Sequence, residues 1–284
     1  MALDVQELLS RYLRTEMTYG DRDVMLYALS LGLGRDPLDE TELRYVYEQR
    51  LEVVPTFATI LAFSTRLMKP TDDLDFSKLL HGEQRLELHG PLPASGTAII
   101  EVRIKDLIDK GAGKGLLITT EVTVSSKESG ERLATLEGVG FYRGDGGRTG
   151  RSGTAPPPHQ LPERAPDAVV TSTTRPDQAL LYRLNGDRNP LHAEPAFARR
   201  AGFERPILHG LCSYGIACCA VLRTYCPEEP RRIRTFNVRF SAPVFPGETL
   251  RTEMWRDGET VSFRTHSQER DLVVLNNGKC CLTD

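Results

Sequence analysis

The most informative run of residues for the fold is Gly210-Leu211-Cys212-Ser213-Tyr214-Gly215-Ile216-Ala217-Cys218-Cys219-Ala220-Val221-Leu222. It is apolar on nearly every face, and a helix of that kind has to be buried. The first half of the chain has a shorter apolar run, in which Pro55 opens Thr56-Phe57-Ala58-Thr59-Ile60-Leu61-Ala62-Phe63. We therefore expect one buried helix in each half of the protein.

Alternating apolar and polar residues follow each helical run, after a turn that contains two prolines and a glycine. The predicted strands are 98–104, 115–125 and 132–143 in the first half, and 250–255, 259–267 and 271–282 in the second. Such alternation, with Gly, Asp and Glu turns between the strands, predicts antiparallel sheets. A curling antiparallel sheet around a long buried helix is the hot-dog arrangement. The predicted class is therefore α+β, a double hot-dog whose two units pair as a pseudo-dimer within one chain.

The segment 144–167 is unlike the rest of the chain. It is rich in Gly, Ser and Pro, a composition that buries too little apolar surface to order itself and that is typical of linkers. The predicted domains are an N-terminal hot-dog unit over 1–143, a linker over 144–167 and a C-terminal hot-dog unit over 168–284.

Charge and hydropathy exclude several classes of protein. The formal net charge is −3 over 284 residues, with no basic stripe for binding nucleic acid. No run approaches the 18 or so apolar residues of a membrane span. Acidic residues stand where a signal peptide has basic ones, and the chain does not end in a peroxisomal Ser-Lys-Leu address. A cytoplasmic location is the expectation.

Six cysteines lie between residues 212 and 281, and none of them forms a C-x-x-C pair. A disulfide framework would be spread along the whole chain, and a zinc site would show paired ligands. We interpret these cysteines as reduced thiols, those of 212–226 being packed in the buried helix as small apolar residues.

The stretch that indicates chemistry is Tyr182-Arg183-Leu184-Asn185-Gly186-Asp187-Arg188-Asn189-Pro190-Leu191-His192. On a regular helix Asp187 and His192 would lie about 140° apart, and Pro190 forbids such a helix. Turns at Gly186 and at Asn189-Pro190 fold both side chains toward one point. A carboxylate and an imidazole that converge on one water are suited to acid–base chemistry. Taken alone, the pair also fits a helix-capping Asp and a surface His.

Two further observations favour the functional interpretation. Gly210 stands at the start of the buried helix, where unpaired N–H groups and the positive end of the helix dipole suit an oxyanion, although close packing also explains a glycine there. In the first half, Tyr27-Ala28-Leu29-Ser30-Leu31-Gly32 resembles Tyr182-Arg183-Leu184-Asn185-Gly186, the start of the segment that carries Asp187 and His192. There the position of His192 is held by Asp39 and no equivalent of Asp187 is evident, which predicts one working site per pair of units.

These residues resemble the hydratase 2 motif of the MaoC-like (R)-specific 2-enoyl-CoA hydratases, Y-R-x-x-G-D-x-N-P-L-H followed by P-I-L-H-G-L-C. The likeness covers nearly the whole chain and is closest to the hydratase 2 region of peroxisomal multifunctional enzyme type 2. Asn185 differs from the Ser that is common in the family. Further matching blocks are Tyr27-Ala28-Leu29, Pro55-Thr56-Phe57, Leu80-His81-Gly82-Glu83-Gln84, Asp109-Lys110-Gly111 and Arg239-Phe240-Ser241-Ala242-Pro243-Val244.

The resemblance implies a hydro-lyase of fatty acyl-CoA metabolism that forms (R)-3-hydroxyacyl-CoA, or dehydrates it, with no metal or organic cofactor. Asp187 and His192 would be the catalytic pair and Gly210 the backbone donor to the thioester oxygen. The N-terminal unit would have lost its catalytic residues and would accommodate the acyl chain. The implied contacts to the acyl-CoA substrate are His81, Gly82, Lys110, Asn189, His209 and Phe240.

Two other functions stay open from the sequence. A hot-dog thioesterase would hydrolyse acyl-CoA and release a thiol, which the Gly186–His192 run disfavours. A non-catalytic acyl-CoA-binding protein fits poorly because the second unit keeps both polar residues. A homodimer of double hot-dog chains is possible, and neither the acyl-chain length nor the pathway follows from the sequence.

Overall fold

The computed structural model of the protein describes residues 2–63, 67–150 and 153–283. Over these described residues, the first unit contains four helices and five strands. The helices are α1 (Val5–Leu9), α2 (Asp21–Leu31), α3 (Glu40–Leu43) and α4 (Ala58–Leu61), and the strands are β1 (Tyr12–Tyr19), β2 (Leu79–Leu88), β3 (Gly96–Asp109), β4 (Leu116–Ser126) and β5 (Arg132–Tyr142).

The second unit contains three helices and five strands. The helices are α5 (Gln178–Tyr182), α6 (Pro195–Arg200) and α7 (Gly210–Tyr225), and the strands are β6 (Ala168–Thr173), β7 (Ile233–Phe240), β8 (Thr249–Asp257), β9 (Thr260–Ser267) and β10 (Leu272–Leu282). Short 3₁₀ turns lie at Pro55–Phe57, Pro70–Asp72, Phe76–Lys78, Arg183–Asn185, Pro190–His192 and Pro230–Arg232.

All ten strands form one antiparallel sheet in the order β1-β3-β4-β5-β2-β7-β10-β9-β8-β6. Read outward from the centre, both halves have the same topology, since β2-β5-β4-β3-β1 corresponds strand for strand to β7-β10-β9-β8-β6. The centre is the antiparallel pair of β2 and β7, in which Arg85 lies opposite Asn237. The two hot-dog units are thus joined edge to edge, which confirms the predicted double hot-dog fold.

Helix α7 is the buried helix that the sequence predicts. Eleven consecutive residues from Cys212 to Leu222 are buried, and the sheet of the second unit wraps around them. Tyr214 hydroxyl donates to the Phe236 carbonyl at 2.6 Å, so the helix is also fixed to β7 by a buried hydrogen bond. The four cysteines at 212–226 are buried thiols, as expected.

The corresponding helical run of the first unit is much shorter. It consists of the 3₁₀ turn Pro55–Phe57 and the four residues of α4, all of them buried. The expected central helix is therefore present but reduced to about one turn of α-helix, against 16 residues in α7. A shorter helix fills less of the concave face of its sheet, and this difference leaves room for a cavity in the first unit.

The described residues of 144–167 contain no helix or strand. Hydrogen bonds nevertheless order the first part of this segment, despite its composition. The buried Asp109 carboxylate accepts from the amides of Gly111, Gly147 and Thr149 and from the Thr149 hydroxyl. These donors hold the pKa of Asp109 down at about 2 against the desolvation that would raise it.

Candidate active site

Two 3₁₀ turns shape the loop that carries the predicted catalytic pair. The first ends at Gly186, whose φ of 128° is open only to glycine without strain. The second begins with Pro190, and the Asn189 side chain caps it by accepting from the Leu191 amide at 3.0 Å. This double turn brings Asp187 Oδ2 to 4.0 Å from His192 Nε2. The predicted convergence of the two side chains is present in the structure.

The separation of Asp187 and His192 is suited to one small molecule between them. At 4.0 Å the two atoms are too far apart for a direct hydrogen bond. A water oxygen about 2.8 Å from each atom would bond to both. The other carboxylate oxygen of Asp187 accepts from the Asn189 amide at 3.1 Å, which fixes the carboxylate orientation.

His192 is held as a neutral base. Its Nδ1 lies 2.9 Å from the Ile207 carbonyl, an acceptor, so Nδ1 carries the proton and Nε2 presents its lone pair toward Asp187. The residue is buried, with 8% of its surface exposed. Desolvation lowers the pKa of His192 below its ordinary value. At neutral pH the imidazole therefore accepts a proton and does not start out charged.

His209 packs against the predicted catalytic pair. Its ring stacks on that of His192, with centroids 3.7 Å apart and planes 26° apart. Its Nε2 lies 3.2 Å from the Asp187 main-chain carbonyl, to which it donates. Only 1% of the residue is exposed, and burial lowers the pKa of His209 to about 3. His209 thus contacts both Asp187 and His192 as a ring that is neutral at neutral pH.

The predicted oxyanion donor begins α7. His209 is the N-cap of this helix and makes no side-chain capping bond, while its carbonyl accepts from the Cys212 and Ser213 amides. The Gly210 amide has no acceptor among the residues that the structure describes. It therefore stays available at the positive end of a 16-residue helix dipole. A Cβ at Gly210 would lie 3.1 Å from the Phe240 ring, so the position has room for backbone and little more.

Phe240 and His81 lie between the start of α7 and the first unit. The His81 ring lies 4.6 Å from the Phe240 ring, centroid to centroid, and Asp187 is close enough to act on the pKa of His81. The side chain of His81 keeps an exposed part, and desolvation by the protein around the ring lowers the pKa of His81 to about 4. Beyond it lies a largely apolar cavity of about 330 Å³. The cavity is lined by Thr59, Ala62, Phe63, Leu79, Leu80, His81, Gln84, Thr120, Val122, Leu136, Gly138, Gly140 and Leu211.

The other residues predicted to contact substrate are distributed over both units. Gly82 forms the irregularity in the pairing of β2 with β5 and packs under the Val139 carbonyl, where a Cβ would lie at 3.2 Å. Lys110 is exposed at the end of β3, with its ammonium 5.4 Å from the Phe141 ring centroid. Asn189 caps the 3₁₀ turn Pro190–His192 and is itself exposed. Asp39, the first-unit residue predicted to hold the position of His192, caps α3 by accepting hydrogen bonds from the Thr41 and Glu42 amides.

Some features of the site were not predicted from the sequence. The proton acceptor at Ile207 is a main-chain carbonyl, which no side-chain motif reveals. The stacking of His209 on His192 could have been suspected from the Leu208-His209-Gly210 run before the buried helix, but the sequence does not show that the ring is buried. The inward glycines at 138 and 140 of β5 are visible in the sequence only as breaks in an alternating strand.

Asp187, His192 and His209 also form a group of three possible metal ligands, whose ligand atoms lie within 4.8 Å of one another. The geometry suits a metal poorly. The two rings are stacked with nearly parallel planes, so their in-plane lone pairs do not converge on one point, and one nitrogen of each ring faces a main-chain carbonyl.

A second pocket, of about 420 Å³, lies elsewhere and is lined by Arg205, Phe245, Glu248 and Arg270 among others. Arg270 pairs with Glu248, and both arginines lie over the Phe245 ring at about 5 Å. None of the predicted catalytic or substrate-binding residues is among its lining residues.

Known proteins are similar to this chain in both sequence and architecture. Residues 17–144 match the MFE-2 hydratase 2 N-terminal domain, and residues 158–277 match the MaoC like domain. The peroxisomal enoyl-CoA hydratase 2 of Arabidopsis thaliana is 41% identical over 92% of this chain and 89% of its own length. The chain belongs to the MaoC-like hydratase 2 family. The resemblance found in the sequence is thereby confirmed.

Two other members of the family extend the comparison. The 3-hydroxyacyl-thioester dehydratase Y of Mycobacterium tuberculosis is 41% identical over 91% of each chain. The crystal structure of a MaoC-like dehydratase from Phytophthora capsici superposes with a TM-score of 0.87 at 32% identity, covering 99% of this chain and 98% of that one. Within the described part of this hydratase 2 family member, no helix is both long and apolar enough to cross a membrane.

Proposed function

We propose that the protein adds water to trans-2-enoyl thioesters of coenzyme A and, in reverse, dehydrates (3R)-3-hydroxyacyl-CoA. One observation carries the proposal: a carboxylate and a neutral imidazole lie 4.0 Å apart beside an unpaired helix N-terminal amide. The names of relatives that share about 40% of the sequence, an enoyl-CoA hydratase and a 3-hydroxyacyl-thioester dehydratase, support both directions of the reaction.

The reaction follows from the positions of these groups. The water held between Asp187 Oδ2 and His192 Nε2 loses a proton to the pair as its oxygen bonds to C3. The electron pair of the C2–C3 double bond moves toward the thioester, whose oxygen gains enolate charge. The proton then returns from the pair to C2, so one water molecule is added in total. Because both groups lie on one side of the substrate, hydroxyl and proton arrive at the same face.

The Gly210 amide stabilises the developing enolate. A preorganised donor of this kind contributes on the order of 3 kcal/mol to the transition state, and positioned acid–base groups contribute roughly 10²–10⁴-fold in rate. His209 supports the pair from behind, since it touches both residues and is almost wholly buried. His81 and Phe240 form the passage that the acyl chain crosses on its way to the cavity.

The acyl chain is accommodated by the first unit. The cavity there has about 330 Å³ of space and mainly apolar walls. A methylene group is similar in size to a water molecule, whose share of liquid volume is about 30 Å³. The cavity therefore holds on the order of ten methylene groups, which favours medium-chain and long-chain substrates over crotonyl-CoA.

Loss of the ultraviolet absorbance of a conjugated enoyl thioester tests the proposal. The wild-type protein is expected to lower the ultraviolet absorbance of trans-2-decenoyl-CoA, and chiral analysis is expected to identify the product as the (R)-3-hydroxy isomer. The Asp187→Asn and His192→Gln variants are each expected to lose at least 10³-fold in kcat/KM, with unfolding curves like that of the wild type. Full activity in both variants would remove the mechanism.

Two controls separate this function from the alternatives. A thioesterase would release free coenzyme A, which thiol titration detects, whereas hydration releases none. Tight acyl-CoA binding without turnover would instead indicate a binding protein. We also propose that no metal or organic cofactor takes part, so dialysis against a chelator should leave kcat unchanged.

Location and assembly are proposals of the same kind. We propose a cytoplasmic protein, although the Arabidopsis relative is named as peroxisomal; cell fractionation decides between the two. A homodimer of double hot-dog chains is also proposed, and light scattering coupled to size-exclusion chromatography measures it directly.

A further inference from the structure

Five glycines lie within the strands of the sheet, at positions 82, 96, 138, 140 and 278. Glycine inside a strand weakens it, because the residue has no side chain to pack and loses more chain entropy on folding. Each such glycine therefore needs a compensating reason, such as a special backbone conformation or the close approach of another group.

Four of the five glycines have a reason of this kind. Gly96 has a φ of 154°, which side-chain-bearing residues rarely adopt. A Cβ at Gly82 would lie 3.2 Å from the Val139 carbonyl oxygen, and one at Gly140 would lie 3.1 Å from the Tyr142 ring. A Cβ at Gly278 would lie 2.5 Å from the Phe263 carbonyl oxygen. Backbone strain or crowding thus explains all four.

Gly138 has neither reason. Its φ is not in the left-handed region, and the nearest atoms to a Cβ there would be His81 Nε2 at 3.8 Å and Gln84 Oε1 at 3.9 Å, both at ordinary contact distance. A valine would suit this position of an antiparallel strand better than glycine does. The empty space beside Gly138 is therefore not required by the fold.

The space beside Gly138 belongs to the cavity of the first unit. Gly138 lies opposite Gln84 on β2 and opposite Thr120 on β4, and all three residues line that cavity. The closest neighbour of a Cβ at Gly138 would be His81, whose ring stands between the cavity and Phe240 at the catalytic end. Gly138 thus lies in the part of the cavity next to His81, the lining residue that contacts Phe240.

We propose that Gly138 determines the acyl-chain length that the enzyme accepts, because its missing side chain keeps the passage open. This proposal rests on the proposed function and adds a specificity-determining residue to it. A side chain at 138 would occupy part of the path of the carbons that follow C3, and a longer acyl chain would then place fewer of its carbons in the cavity.

The size of the effect follows from the buried chain. Each methylene moved from water into an apolar site strengthens binding by a factor of about four. A valine brings three carbon atoms and displaces about three methylene groups of the substrate. Gly138→Val is therefore expected to lower kcat/KM for decenoyl-CoA relative to crotonyl-CoA by about 60-fold, and Gly138→Leu by more.

The test is a series of Ala, Val and Leu at position 138, assayed with enoyl-CoA substrates of increasing chain length. The ratio of kcat/KM for decenoyl-CoA to that for crotonyl-CoA should fall stepwise along the series. Gly90→Val is a matched control, since a Cβ at Gly90 meets nothing within 4 Å and Gly90 is not among the residues that line the cavity. Its chain-length ratio should equal that of the wild type.

Thermal unfolding distinguishes a specificity effect from damage to the fold. Removing a glycine from a strand and filling an empty space should keep or raise the Tm of Gly138→Val. An equal loss of activity at every chain length, or an unchanged ratio in both Ala and Val variants, would overturn the proposal. A wild-type protein that is inactive toward every enoyl-CoA would instead overturn the proposed function. The chain-length ratio tests only the role of Gly138, so the two failures are distinguishable.

Discussion

Replacing His209 tests how the catalytic pair is positioned. His209 makes two contacts with it: the ring stacks on His192 at 3.7 Å, and Nε2 donates to the Asp187 carbonyl at 3.2 Å. Two substitutions separate these contacts. His209→Phe keeps a stacking ring and removes the donor, whereas His209→Gln keeps an N–H group near the position of Nε2 and removes the ring.

The expected effect of His209→Phe on stability is small. The loss of one hydrogen bond to a main-chain carbonyl costs about 1 kcal/mol. The same substitution removes the Nδ1 atom of His209, which is buried and has no hydrogen-bond partner among the described residues. Removal of an unpaired buried polar atom stabilises the fold by about the same amount, which offsets the lost hydrogen bond. The free energy of unfolding should therefore change by less than about 1 kcal/mol, measured by urea denaturation near neutral pH.

The expected effect on catalysis is large and confined to kcat. Without its donor the Asp187 carbonyl is no longer tethered, and a displacement of about 1 Å in a catalytic group costs roughly 10²-fold in rate. Because only 1% of His209 is exposed, KM for decenoyl-CoA should stay within about threefold. His209→Gln should recover at least tenfold of the lost kcat by restoring the donor.

Steady-state kinetics on both variants decides between positioning and direct binding. A rise in KM with unchanged kcat in His209→Phe would show that the residue contacts substrate, as the family resemblance implies. Equal activity of the Phe variant and the wild type would refute the tethering of Asp187 altogether.

Two further predictions concern ionisable groups. Because desolvation lowers the pKa of His192, the base stays neutral in mildly acidic solution, and the acid limb of a kcat/KM–pH profile should fall below the ordinary histidine value of about 6.5; a limb at or above 6.5 would contradict this. Asp109, whose pKa is held at about 2, stabilises the fold once it is ionised. Asp109→Asn should therefore lower the free energy of unfolding by about 2 kcal/mol at neutral pH, and the difference should shrink as pH falls from about 4 to 2. Urea denaturation at several pH values measures it, and a constant difference would exclude the carboxylate as its source.

Elements with strong local signals could be predicted from the sequence. Helix α7 is apolar on every face, and a strand such as β4 keeps its buried residues at alternate positions, so their burial follows from periodicity alone. The Asp187–His192 pair was predictable because Gly186 and Pro190 restrict the backbone between them. These are cases in which a few residues determine the local geometry.

Features that depend on packing between distant segments could not be predicted. The joining of the two units through β2 and β7 depends on which strand edges remain unpaired after folding, and no local pattern encodes that choice. The length of α4 was overestimated because the apolar run 55–63 looks helical throughout, whereas α4 ends at Leu61. His209 lies 17 residues from His192, so their stacking follows only from the path of the chain through α6.

The two units share one topology, and their difference is what makes a site. In the second unit, a 16-residue helix fills the sheet and presents its first amide beside Asp187 and His192. A second helix of that length in the first unit would occupy the concave face of β2, β4 and β5, and the cavity would be lost. Conversely, a helix of four residues in the second unit would carry little dipole and would not be long enough to fill its sheet. The proposed catalysis on a long acyl chain therefore depends on the difference between the two helix lengths.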